Sequence, residues 1–363
     1  MGFADLPPEI LHLILGFLIY NQKSMSNLCT VDKRTYSVSY SRLYQSVTLT
    51  SDRALLAFCQ PYVLGIRQPI HSPLVTELNI GPYWPWRARI DSSGFRLLRN
   101  HVQYLQRVLE NLENLKYLSL SVSPRALNLV LDDLVVPFKL ESFAHSGKSS
   151  INLLCFLEGQ PLIKYLGWYG AASQIDIDLF CVSMKSNSRI LPNLEALDGP
   201  LHLLSSLLPL RPISNITIVQ PYSPWNKEEF IAALHRTTVP LTRLCVCEAS
   251  DIWHTWMEIV SIAELTNLPY TLKHLRIAVK PISILGELRF QRNMVNQLSR
   301  ALGDLSFSVM EEFELTGVRA THWDPPACHV YSWLAREILR NLSDWRVHVL
   351  SLKKVVVYGI VIS

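Results

Sequence analysis

The sequence predicts an α/β protein: three short helices over residues 1–46, then an irregular solenoid of strand–helix units over 47–363 with a parallel sheet on its concave face. Three observations carry this. The first fifty residues hold a segment that is apolar around most of a helical circumference. Beyond residue 46 a short pattern of apolar, two others, apolar, one other, apolar keeps returning, and its alternating final pair is a strand signal. Between copies lie apolar residues at helical spacing.

In the first helix, Asp5 is placed to cap by accepting from free first-turn amides, and Pro7 and Pro8 suit a first turn that needs no N–H from them. The helix is expected to run to Tyr20. Its residues Ile10, Leu11, Leu13, Ile14, Leu15, Phe17, Leu18 and Ile19 exceed the apolar stripe of about 100° that ordinary packing uses, which implies two contact faces and a partner for one of them. A second helix is expected from Ser24 through Met25, Leu28 and Cys29. Asp32 is expected to cap a third that carries Tyr36, Tyr40, Leu43 and Tyr44.

The repeated strand pattern stands at Val75-Leu78-Ile80, Leu115-Leu118-Leu120, Ile163-Leu166-Trp168, Ile213-Ile216-Ile218, Leu241-Leu244-Val246, Leu272-Leu275-Ile277, Met310-Phe313-Leu315 and Val347-Leu350-Leu352. Weaker copies stand at Leu140-Phe143 and Leu194-Leu197. Helical patterns between them are Leu98, Val102, Leu105, Leu109 and Leu112; Phe290, Met294, Leu298 and Leu302; and Val330, Leu334, Ile338 and Leu342. A unit of this size cannot bury its own apolar face, so neighbouring units are expected to stack into one core. An ordinary α/β domain with a mixed sheet is the competing architecture. The closing run Lys354 to Ile362 is expected either to fold back as a final strand or to lack a following unit.

Composition excludes several function classes. With 49% hydrophobic and 18% charged residues the 363-residue chain is globular, able to remove roughly three-quarters of its unfolded surface from water. A net charge of +4 from 34 basic and 30 acidic residues, with no basic stripe, gives no reason to expect nucleic acid. No apolar run reaches the ~20 residues of a membrane span, and the start lacks the marks of a signal peptide, so a cytoplasmic or nuclear protein is expected. The seven cysteines are scattered, and Cys245-x-Cys247 has no second ligand pair at suitable spacing, so no metal or cofactor is expected. Asn215-Ile216-Thr217 and Asn341-Leu342-Ser343 match a glycosylation pattern that such a chain does not use. Phosphate loops, Gly-x-Ser-x-Gly elbows and His-Glu-x-x-His pairs are absent, and His322, Asp324, Cys328 and His329 are near one another only in sequence; catalysis is not expected.

The N-terminal segment resembles an F-box, the helical module by which substrate receptors of SCF ubiquitin ligases dock on a Skp-type adaptor. The likeness covers roughly residues 4–46: Leu6-Pro7 with Glu9-Ile10-Leu11, Ile14-Leu15, Leu28-x-x-Val31-x-Lys33-Arg34-x-Tyr36, and Leu43 to Leu49, an ending typical of fungal members. Tyr36 stands where many members place Trp. The resemblance implies adaptor contacts at Leu6, Pro7, Ile10, Leu11 and Ile14, and through the adaptor a cullin-based ligase. The remainder resembles a degenerate leucine-rich repeat, with spacing of about twenty to forty residues and without the Asn or Cys that regular members carry past each strand.

On a concave sheet the outward strand residues form the natural binding surface for an unknown protein substrate. They are Tyr117, Tyr165 and Tyr169 as an aromatic patch, Arg243, His274 and Arg276 as a basic one suited to reading a phosphate, and Glu312 with Glu314 as an acidic one, followed by Lys353. The segments 82–89, 221–225 and 323–326 interleave aromatics with proline and either grip a ligand or fold back over the core. The expected function is the substrate-recognition subunit of an SCF-type ubiquitin ligase; an F-box and repeat scaffold that directs no ubiquitination is the alternative.

Overall fold

The computed structural model describes residues 6–18, 22–63, 69, 71–81, 97–170, 173–219, 226–249, 252–279, 307–317, 343, 346, 349–357 and 360–362. They form an α/β protein with a mostly parallel set of strands, in two compact units: residues 1–83 with 90–163, and residues 84–89 with 164–363.

The first unit opens with α1 (Pro8–Phe17), α2 (Gln22–Leu28) and α3 (Lys33–Gln45). Pro7 is the N-cap residue of α1 without a side-chain cap, and Asp5 lies outside the described residues. The helix stops at Phe17 rather than reaching Tyr20, where Leu18 N–H reaches back to the Ile14 and Leu15 carbonyls. Ser24 is inside α2 rather than ahead of it, since that helix starts two residues earlier. Asp32 does cap α3: its carboxylate accepts from the Arg34 and Thr35 amides at 2.8 and 2.9 Å, which holds its pKa below the usual value.

The chain then alternates β1 (Ser46–Leu49), α4 (Asp52–Val63), β2 (Glu77–Ile80), α5 (Arg99–Leu109), β3 (Tyr117–Leu120), α6 (Pro124–Val130), β4 (Ser142–His145) and α7 (Ile151–Glu158). All three strand pairs are parallel and follow chain order. The second unit continues with β5 (Tyr165–Trp168), α8 (Gln174–Ser186), β6 (Ala196–Gly199), α9 (Leu201–Leu207), β7 (Asn215–Ile218), α10 (Lys227–His235), β8 (Arg243–Ala249), α11 (Ile252–Glu264), α12 (Leu268–Thr271), β9 (His274–Val279), β10 (Glu312–Gly317), β11 (Lys354–Val357) and β12 (Ile360–Ile362). Strands β5 to β11 pair in parallel in chain order, and β12 turns back antiparallel on β11, the first of the two expectations for the closing run.

One junction repeats although the connections differ in length. The carbonyl just before a strand accepts both the amide before the next strand and that strand's first amide: Thr76 from Lys116 and Tyr117, Lys116 from Glu141 and Ser142, Glu195 from Ser214 and Asn215, and Glu311 from Lys353 and Lys354, at 2.8 to 3.1 Å. Side chains there alternate in charge, with ion pairs Lys116–Glu141 at 2.9 Å, Lys164–Glu195 at 3.8 Å and Lys353–Glu311 at 2.8 Å. Other turns use whatever polar group is at hand. Ser146 donates to the Val122 carbonyl, and buried Gln160 accepts from the Leu140 amide.

The second residue of each parallel strand forms the core ladder: Val47, Leu78, Leu118 and Phe143 in one unit, and Leu166, Leu197, Ile216, Leu244, Leu275, Phe313 and Val355 in the other, all buried. Each copy of the sequence pattern lands on its strand except the last. Val347-Leu350-Leu352 sits out of place, since Leu350 is 88% exposed in a turn while Leu352, Val355 and Val357 carry the pattern into β11. Strand β1 also belongs to the sheet, with Tyr44, Val47 and Leu49 at the repeat's spacing. The helical pattern at Leu98 to Leu112 gives α5, with Leu98 left exposed ahead of it; the patterns from Phe290 and from Val330 lie outside the described residues.

Candidate binding surfaces

Helix α1 divides its apolar residues between two faces. Leu11 and Leu15, like Met25 of α2, are each 2% exposed, and α1 and α2 both pack against α3. Ile10, Leu13 and Phe17, three and four positions apart, are 40%, 60% and 87% exposed and make one apolar stripe. Of the five expected adaptor contacts, Pro7 and Ile10 are exposed, Leu6 and Ile14 are half-buried, and Leu11 is inside. Leu13 and Phe17, outside that set, share the exposed stripe with Ile10. Counting 10, 13 and 17 as one helical face finds them, whereas the motif alone does not separate the two faces. Exposed Val31 and Tyr36 mark the entry to α3, where the ring of Tyr36 begins a stack through Tyr40 and Tyr44 to His71 at centroid distances of 5.1, 4.8 and 4.7 Å.

On the strands, the residue that opens each strand is the accessible one. The third residue, expected to be solvated, is mostly buried as well: Asn79, Ser119, Asp198 and Cys245 are all under 10% exposed. Parallel register sets such side chains side by side, Asn79 beside Ser119 and Thr217 between Asp198 and Cys245. The expected aromatic patch divides accordingly. Tyr117 is exposed in the first unit, between Glu77 and Ser142 in register. Tyr165 is half-buried and Tyr169 buried, both in the second unit, and both donate to Asp198 Oδ2, at 2.7 and 2.8 Å, while their hydroxyls also touch each other. Burial raises the Asp198 pKa against these donors and Thr217, and it raises that of Tyr169 far above the ordinary value. This is a satisfied internal network, so Tyr169 is not an outward anchor.

The basic and acidic patches are one ladder. In register, Arg243 lies beside His274, His274 beside Glu312, and Arg276 beside Glu314. Glu312 stands between His274 Nδ1 at 3.3 Å and Lys354 Nζ at 3.8 Å, and Arg276 Nε is 3.4 Å from Glu314. At these separations the Lys354 and Arg276 contacts are ion pairs rather than aligned hydrogen bonds, and the His274 contact is one only with a protonated imidazole. Lys354, not Lys353, completes the ladder. A phosphate would compete there with carboxylates already in place, and exposed Arg243 is left as the accessible cation of the three.

Cys59, Cys181, Cys245 and Cys247 are buried, Cys29 is half-buried and Cys155 is exposed. Burial pushes the Cys59 thiol up to about 12. No group of three or more His, Cys, Asp or Glu side chains suited to a metal occurs among the described residues, and none of their helices is long and apolar enough to cross a membrane. The segments 82–89, 221–225 and 323–326, together with His322, Cys328 and His329, lie outside the described residues. No protein-family model and no curated protein matches the chain.

Proposed function

We propose that the chain is a substrate-recognition subunit of an SCF-type ubiquitin ligase in the cytoplasm or nucleus: α1 docks a Skp-type adaptor, and the strand-opening residues, exposed at Tyr117 in the first unit and at Arg243 and Lys354 in the second, offer surfaces to a protein target. The observation that carries this reading is the exposed stripe of Ile10, Leu13 and Phe17 on a helix whose opposite side already fills a core. An apolar face of that kind in water is stabilised by a partner. The repeated strand-and-junction unit supports the degenerate leucine-rich-repeat reading, and with it a scaffold that holds a target while chemistry is done elsewhere in the ligase.

The test is co-purification of the full chain with a Skp-type adaptor. Leu13→Asp with Phe17→Asp is expected to abolish binding while far-ultraviolet circular dichroism stays native. Losing one central apolar anchor costs about 2 kcal/mol, roughly thirtyfold in affinity, and two charged replacements cost more. A native chain that binds no adaptor defeats the proposal.

A further inference from the structure

Helix α8 turns an apolar face to water. Ile177, Phe180, Cys181 and Met184 fill its core side, and the helix packs against α9. On the opposite side Ile175, Leu179 and Val182, four and three positions apart, form one stripe, 70%, 61% and 62% exposed. The stripe at the same spacing on α10 is Glu228, Ala232 and His235, all exposed, so an apolar outer face is not a general need of these helices. The charges beside the α8 stripe are divided by sign along the helix. Asp178 and Lys185, two turns apart, lie on one flank of it, the acid in the N-terminal half and the base in the last turn. Asp178 is held in place by His202, whose Nε2 is 2.9 Å from its Oδ1, and its side chain is still 56% exposed.

We propose that a second copy of this chain covers the stripe, the two α8 helices pairing antiparallel about a two-fold axis between Leu179 and Val182. A two-fold contact joins one surface patch to itself, so the patch must be self-complementary. Antiparallel pairing meets that condition here. It lays one apolar stripe on the other and sets residues of the same flank opposite each other, so that Asp178 of each copy meets the partner's Lys185. A parallel pair would leave these two residues at different heights, with neither opposite the other. One helix face offers less than the roughly 800 Å² per partner of a standard stable interface, so the dimer is reversible and concentration-dependent. The stripe on α1 takes no part in it.

Sedimentation velocity of the full chain across the micromolar range reads the association. The native chain is expected to pass from monomer to dimer as concentration rises, and Leu13→Asp with Phe17→Asp to do the same. Leu179→Asp is expected to weaken the dimer by more than roughly thirtyfold, because a two-fold interface loses the central anchor twice. Leu179 lies outside the core, and an unchanged far-ultraviolet circular dichroism spectrum checks that the fold is kept. Lys185→Glu and Asp178→Lys are each expected to associate less than the native chain, since like charges then face each other twice. An equal mixture of the two is expected to restore the dimer, both contacts joining opposite charges again. A native chain that stays monomeric, a dimer that survives Leu179→Asp, or a mixture that associates no better than either charge variant alone overturns the proposal.

Discussion

His145 shows how far one position can depart from its ordinary chemistry. It is 1% exposed, stacked on Phe143 at a centroid distance of 5.5 Å, and burial lowers its pKa to about 3, against a contact with the Gly147 backbone that favours the charged form. The imidazole is therefore neutral in the folded protein while the unfolded chain titrates near ~6.5. The unfolded state takes up the proton first, so the stability His145 supports is complete above about pH 6.5 and is lost as pH falls from there toward 3. By pH 5 the loss is about 2 kcal/mol. Urea unfolding of the native chain and of His145→Phe at pH 7 and pH 5 checks this; equal losses in both proteins would rule it out. Beside it, a Cβ at Gly147 would come within 2.2 Å of Leu127 Cδ2, so any side chain there requires Leu127 to move. Neither constraint was legible locally, since an isolated His and a Ser-Gly pair read as turn residues.

Among elements, the last parallel strand is the sharpest case. Two candidate phasings exist five residues apart, and the sequence pattern suits either; what decides is the junction, where Lys353 and Lys354 amides meet the Glu311 carbonyl. Leu350→Ala is expected to change stability by less than ~0.5 kcal/mol, and Leu352→Ala, from a position 1% exposed, to cost about 2–5 kcal/mol. Denaturant midpoints of the two variants measure this directly, and the reverse order would restore the earlier phasing. Arg211 does comparable service between elements. It is 6% exposed, and its guanidinium donates to the Met184, Asn187, Ile190 and Leu210 carbonyls at 2.8 to 3.2 Å, closing the C-terminal end of α8 with a positive charge. Nothing near Arg211 in the sequence announces that three of its partners lie 21 to 27 residues back.

For the molecule as a whole, the boundary expected at residue 46 falls within one compact unit. α3 runs directly into β1, and the Gln45 carbonyl accepts both the amide and the hydroxyl of Thr76, at 3.0 and 3.1 Å. The three N-terminal helices are thus tied to the first strand pair. Removing residues 1–46 is expected to lower the melting temperature of the transition belonging to residues 47–163 by several degrees, roughly 4–8 °C per kcal/mol lost, and to leave a transition from residues 164–363 where it is. Differential scanning calorimetry of the two chains reads this, and two unchanged transitions would show that the helices fold apart from the strands.

The sequence by itself determined the alternation of strands and helices, the parallel ladder with its buried second position, the Asp32 cap and the surplus apolar character of α1. Each is written in short-range periodicity, which the backbone geometry of helix and strand converts into a face. Tertiary structure alone decided that Leu11 turns inward while Phe17 is bare, that Tyr169 and Asp198 satisfy each other, that Arg276 is matched by Glu314, and where β11 begins. Those outcomes depend on which residues of neighbouring strands stand side by side, and register is set by junctions between segments distant in sequence.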